Sequence, residues 1–274
     1  AIYVAIGAHT DKKLGLEGED SKNVISAVDM LREIGDGAYP DYTGKRVVVV
    51  GGGNVAMDCA RTAMRANAET VSIVYRRRQE DMTALPAEVE LVTLKAPLRV
   101  EADAEGNACA LWVQPQIIGP VKGGRPSPRK ANKPEERMEC DIVLVAIGQD
   151  IVSGPFADFG MAVNRGRIAA DKGGAANMVG VYAGGDCVSG PATVIKAIAA
   201  GKAAAANIDE YLGYHHPISC DVEIPEPMLN DKVPCGRVNL QEVEAWARKT
   251  NFEGIELPMS CEEAVQEASR CLRC

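Results

Sequence analysis

No uninterrupted apolar run in this 274-residue chain reaches the length of a bilayer span, which argues against a transmembrane helix. The opening residues do not form a secretory signal either, so a cytoplasmic protein is expected. Positive charge is in deficit: 30 Lys and Arg stand against 38 Asp and Glu, a net charge of −8. That balance disfavours nucleic acid or an anionic membrane surface as the main partner. Histidine occurs three times, as His9, His215 and His216, far from the chemical motifs and in no triad pattern. His215 and His216 read as part of an exposed connector. Disulfide chemistry is also poorly provided for, because the nine cysteines are odd in number and mostly isolated. Cys187 has no redox partner at C-x-x-C spacing. Only Cys271 and Cys274 stand as a C-x-x-C pair.

What is present is a dinucleotide-binding βαβ pattern from Lys45 to Met82, KRVVVVGGGNVAMDCARTAMRANAETVSIVYRRRQEDM. Val47 to Val50 read as a strand buried on both faces. Gly51, Gly53 and Ala56 occupy the positions of G-x-G-x-x-A. The first residue suits a tight turn, the second lets backbone approach a pyrophosphate, and the third keeps helix close to sheet. An amphipathic helix follows, with Val55, Cys59, Ala63 and Ala66 on one face, and then a strand from Val71 to Tyr75. The helix N-terminus, at Asn54 and Val55, faces the phosphates. After the second strand, where a reader of an unmodified ribose carries Asp or Glu, this chain has Arg76, Arg77 and Arg78. Guanidinium groups bind a 2′-phosphate that a carboxylate would repel, so NADP(H) is expected, with NAD(H) as the lesser choice.

An internal echo organises the rest. AIYVAIGA (Ala1 to Ala8), DIVLVAIGQ (Asp141 to Gln149) and VGVYAGGD (Val179 to Asp186) are short apolar strands with glycine at the carboxyl end, at Gly7, Gly148 and Gly185. Such glycines suit places where backbone approaches a nucleotide. Two echoes bracket the βαβ unit, which suggests one nucleotide domain inserted into another. Between them Ser21 to Ile34 is expected as an amphipathic helix. The pieces LRVEA and ALWVQPQII are expected as strands around a basic hairpin tip from Gly119 to Pro134. Pro217 to Gly236 reads as an irregular connector, and Ser260 to Glu263 as a capping box opening a helix that runs into Cys271.

The second chemical stretch is GVYAGGDCVSGPATVIKAIAAGKAAAANI, Gly180 to Ile208. A strand ends at Gly184-Gly185-Asp186 and a long Ala/Ile helix begins near Thr193. Asp186 is placed to accept from polyol hydroxyls, and the amides of Ala192, Thr193 and Val194 to stabilise negative charge on a reduced ring. An ordinary strand-turn-helix with a capping Asp fits the same residues equally well.

Taken together, G-G-G-N-V-A-M-D, Y-R-R with M-T-A-L-P-A-E, V-A-I-G-Q, and A-G-G-D with G-P-A-T-V-I-x-A-I-A-A-G-K resemble the glutamate synthase small subunit and its relatives. Those relatives include the pyridine-nucleotide region of dihydropyrimidine dehydrogenase and the large subunit of NADH-dependent ferredoxin:NADP oxidoreductase. The resemblance covers about residues 1 to 213. It implies an α/β fold of the two-dinucleotide-binding flavoprotein type, with a Rossmann-like NAD(P)H domain at 44–150 inserted into an FAD domain at 1–43 and 151–213. Residues 214–274 would be an extension that opens an iron-sulfur domain. By the same resemblance Gly51, Gly53, Asn54, Ala56 and Arg76 with Arg77 would hold NADP(H), Asp186 would contact the FAD ribitol, and Pro191 to Val194, with Ala192 and Thr193 between them, would lie against the flavin ring. Val55, Gly148, Gly7 and Gly185 are further candidates for cofactor binding, with no assignment to one dinucleotide or the other. The implied reaction is hydride transfer between nicotinamide and flavin, with electrons passed to an iron-sulfur domain or a redox partner subunit.

The sequence departs from that pattern at both ends. The family's N-terminal iron-sulfur domain and the FAD domain's own G-x-G-x-x-G are missing, so a piece of a longer polypeptide is expected, purified without stoichiometric FAD. Cys271 and Cys274 supply two ligands where a cluster needs four, and the spacing of Cys220, Cys235 and Cys261 is irregular. Two other classes stand beside this reading. One is a non-catalytic nucleotide-binding or partner-docking module; the other is an NADP-dependent dehydrogenase of a small substrate, which lacks a Tyr-x-x-x-Lys signature.

Overall fold

Val47 to Val50 form the middle of a five-stranded parallel sheet, in the order Val24–Ser26, Ile142–Val145, Arg46–Val50, Thr70–Tyr75 and Glu90–Thr93. The computed structural model describes residues 1–82, 90–122, 124–217, 223, 226 and 235–271. Each of the four valines is at most 2% exposed. Alternation divides them between two cores. Val47 and Val49 face Ala27, Met30, Ala56, Cys59, Ala60 and Ala63 of the two helices, whereas Val48 and Val50 face Val100, Leu111, Val113 and Cys140. Burial of each side chain is worth roughly 1.5–3 kcal/mol as an upper figure.

The second face is covered by an antiparallel sheet ordered Glu136–Glu139, Ala108–Lys122 and Lys95–Ala102, with Arg125–Lys130 also paired to Ala108–Lys122. This sheet contains the two β pieces expected from the sequence, and the basic stretch is the expected hairpin. Pro126 and Pro128 lie in the outer hairpin strand, where a missing N–H is tolerated.

The helix expected over Ser21 to Ile34 is shorter than its pattern. Val24–Ser26 is a strand, paired in parallel with Val143 to Val145, and the helix runs from Ala27 to Gly35. β-branched Val24 and Ile25 suit the sheet edge beside Ile142–Val145. Ser26 then caps the helix by accepting from the Asp29 N–H at 3.2 Å. Both elements, expected within segment 1–43, pack in the layer built by segment 44–150.

Residues 1–216 form one unit and 217–274 a second. In the first, two of the three echo strands pair with each other: Ile2–Val4 lies parallel to Val181–Ala183, above a small core of Val4, Met161, Ile168, Ala183 and Cys187. The third echo belongs to the larger parallel sheet. Passage between these two layers uses Thr10–Asp11 and Gln149–Asp150, which pair antiparallel. An 18-residue helix, Val194–Tyr211, closes this part of the chain. In the second unit the capping box forms as expected: Ser260 Oγ accepts from the Glu263 N–H, the Glu263 carboxylate accepts from the Ser260 N–H, and the helix spans Cys261–Ser269. Most of the expected connector from 217 to 236 lies outside the described residues, as do 83–88 of the M-T-A-L-P-A-E motif. Among the described residues no helix is long and apolar enough to cross a membrane.

Candidate nucleotide site

At Gly51 the chain leaves its strand at φ +153°, with its N–H donated to Val74 O at 3.1 Å. A Cβ here would stand 2.3 Å from Ala146 O and 3.2 Å from the Ala56 methyl. The turn therefore needs glycine first and a small residue at position 56, which is fully buried. The Tyr75 ring lies over Gly52, where a Cβ would come within 2.5 Å of it. Gly53 is the N-cap of the helix Asn54–Arg65 and offers no side chain to its first amides. Those amides keep their capacity for an anion.

These elements open on a cavity of about 730 Å³. Gly51, Gly53, Asn54, Val55, Arg76, Arg77 and Gly148, all singled out in the sequence, line it together; Ala56 lies beneath them in the core. The three arginines have separate fates. Arg76 is exposed at the cavity. Arg77 is half-buried and donates Nε–H to Pro126 O of the hairpin at 2.9 Å. Arg78 turns to Asp81, 3.1 Å away, and its hydrogen bonds hold that carboxyl below its ordinary pKa. The wall also contains residues that no motif marked: Lys12, Leu14, Leu16, Ala96 and Pro97. They come from a loop and from the antiparallel sheet, where neither periodicity nor glycine spacing points at a ligand.

The other residues expected at a cofactor lie elsewhere in the same unit. Gly7 follows strand Ile2–Val4 at φ +66° and Gly185 follows Val181–Ala183 at φ +73°. Asp186 begins a short helix, Asp186–Ser189, and its Oδ1 accepts from the Ala192 N–H at 3.1 Å, so it straps the turn instead of capping a helix. Pro191, Ala192 and Thr193 are exposed, and Thr193 is the N-cap of Val194–Tyr211 without a side-chain capping bond.

Burial pushes the Cys59 and Cys140 thiols up to about 12, and Cys187 is fully buried with Sγ 3.1 Å from Gly184 O. His215 and His216 are exposed and sit 2.7 Å from Glu210 and Asp209 respectively. Cys271 is exposed just past the capped helix, while Cys274 lies outside the described residues. Among the described residues no three His, Cys, Asp or Glu side chains form a metal-binding group.

Residues 1–201 match the pyridine nucleotide-disulphide oxidoreductase family. The whole chain is 35% identical over 301 aligned residues to subunit beta of the NADP(+)-dependent formate dehydrogenase of Moorella thermoacetica, covering 42% of that protein. It is 31% identical to the small chain of Escherichia coli glutamate synthase (NADPH), over 77% of this chain and 50% of the relative. The chain thus spans about half the length of the curated relatives it matches. Among solved structures, Mycobacterium tuberculosis FprA in complex with NADPH superposes with a TM-score of 0.62 at 19% identity, over 78% of this chain and 64% of FprA.

Proposed function

The chain belongs to the pyridine nucleotide-disulphide oxidoreductase family, with the two-dinucleotide-binding flavoprotein fold and a likeness to the glutamate synthase small chain, and from that premise we propose an NADP(H)-dependent flavoprotein oxidoreductase module. The observation that carries the proposal is the cavity itself, in which the Gly51 to Val55 turn, Arg76, Arg77 and Gly148 meet. A pyrophosphate fits the turn, because a side chain at Gly51 would collide with backbone and the helix start lacks a side-chain cap. Arg76 and Arg77 supply guanidinium groups for a 2′-phosphate.

The second dinucleotide, FAD, has compatible residues in Gly7, Gly185, Asp186, Pro191, Ala192 and Thr193. The start of the 18-residue helix Val194–Tyr211 is exposed and lacks a side-chain cap, and its positive end suits a ring that becomes anionic on reduction. Asp186, fixed by its bond to Ala192, keeps further lone pairs for ribitol hydroxyls. When bound, the flavin supplies hydride exchange with the nicotinamide and release of single electrons. The protein's part is to orient, to neutralise phosphate charge and to exclude competing anions. No side chain of this chain is assigned as a proton donor or acceptor.

Onward transfer to an iron-sulfur centre in a partner subunit or adjoining domain belongs to the same proposal. A cluster needs four ligands, and the described residues assemble no such set, so no electron step is assigned to the tail. Cys271 and Cys274 are proposed as one ligand pair, with Cys271 delivered by the capped helix. Iron and sulfide analysis of the protein isolated together with its redox partner should show one cluster fewer in Cys271→Ser.

Calorimetric titration of the chain with NADPH and NADH tests the central reading. NADPH is expected to bind at least about tenfold more tightly, the effect of one charge-assisted phosphate contact. Equal affinities would overturn the assignment of Arg76 and Arg77.

A further inference from the structure

Part of the cavity wall is a segment held in shape by one carboxylate. Leu14 and Leu16 line the cavity together with Lys12. Glu19 Oε2 accepts from the Gly15 N–H at 2.7 Å and from the Leu16 N–H at 3.4 Å, and its Oε1 accepts from the Leu14 N–H. The Glu19 N–H in turn donates to Leu16 O at 3.2 Å and closes the turn. Successive amides converging on one anion form a nest, filled here from within the chain.

The segment is also fastened to the strand that supplies the neighbouring wall. Val100 N–H donates to Glu17 O at 2.8 Å, and Gly18, at φ +79°, lies so near this strand that a Cβ would stand 2.0 Å from Val100 O. Ala96 and Pro97 of the same strand, Lys95–Ala102, line the cavity.

Strand order gives the segment its place along a dinucleotide. Arg76 follows Thr70–Tyr75 on one side of Arg46–Val50, whereas Gly148 follows Ile142–Val145 on the other. With the pyrophosphate at Gly51 and Gly53 and the 2′-phosphate at Arg76, the nicotinamide half extends toward Gly148. Lys12 borders that end: its N–H donates to Gly148 O at 3.0 Å, and its Cδ is 3.8 Å from where a Gly148 Cβ would be.

We propose that Glu19 is a positioning residue for the nicotinamide half of NADP(H), acting by holding the backbone of Leu14 to Leu16 as its wall. This rests on the NADP(H) reading above. Without the carboxylate the three amides have no common acceptor, and the wall must be ordered when the nucleotide binds.

Calorimetry on the full chain with NADPH and with 2′,5′-ADP, which carries only the phosphorylated adenosine half, separates this role from general damage. Glu19→Ala is expected to weaken NADPH about tenfold and 2′,5′-ADP by less than about twofold. Glu19→Gln keeps the shape and one carbonyl acceptor and should lie between the two. If melting shows that Glu19→Ala does not fold, Glu19→Gln carries the test with the same selective loss. A variant that leaves NADPH affinity unchanged, or that loses both ligands in equal proportion, overturns the role of Glu19 while wild-type binding keeps the NADP(H) reading intact. A wild-type chain that binds neither ligand overturns both.

Discussion

Replacing Arg76 with Ala should separate the 2′-phosphate from the rest of the nucleotide. Arg76 is the arginine of the run that is exposed at the cavity, while Arg77 spends Nε on Pro126 O and Arg78 is paired with Asp81. A charge-assisted hydrogen bond contributes about 1.5–3 kcal/mol, so loss of Arg76 should raise the NADPH dissociation constant by roughly 10- to 150-fold. The lower end is the better expectation, because an exposed contact is partly screened by solvent. NADH has no 2′-phosphate and should bind the variant as it binds the wild type. Arg77→Ala should behave differently: it also strips Pro126 O of its donor and loosens the hairpin, so it should lower thermal stability, which Arg76→Ala should not. Calorimetry with both nucleotides, repeated at low and high salt, checks the argument, since the Arg76 effect should shrink as salt rises. Equal losses of NADPH and NADH in Arg76→Ala would refute the placement of the 2′-phosphate.

Gly51→Ala should destabilise the fold by about 1–3 kcal/mol of overpacking, because the new Cβ meets the fixed Ala146 carbonyl, and denaturant melts should show it. Glu101 accepts from Arg137 and from the Trp112 indole, which lowers its pKa from 4.5 to about 2. A lowered acid stabilises the fold above its unfolded pKa and loses that contribution as pH falls through the folded value. The melting-temperature gap between wild type and Glu101→Gln should therefore be full at pH 6 and close between about pH 4.5 and about pH 2; a gap independent of pH would contradict it. Ser260→Ala removes the N-cap of Cys261–Ser269 at a cost of about 0.5–2 kcal/mol to that helix, which hydrogen exchange at the amides of 262–264 should register as lost protection.

Sequence alone determined what is local. Four consecutive valines mark a strand with two buried faces, Gly51, Gly53 and Ala56 mark the turn and the close helix, and Ser260 with Glu263 marks a helix start, because each depends on neighbours a few residues away. The fold class and the residues that the glycine turn brings to the cavity were legible for that reason. Tertiary structure decided the rest. Val24 to Ser26 carry a helical pattern with their successors and become a strand because Val143 to Val145 offer an open edge. Arg76 and Arg77 are alike in sequence and differ because Pro126 of the hairpin comes within reach of Arg77. Lys12, Leu14, Leu16, Ala96 and Pro97 join the cavity through contacts between segments about 80 residues apart, such as Val100 with Glu17, and no periodicity along the chain encodes a contact of that separation.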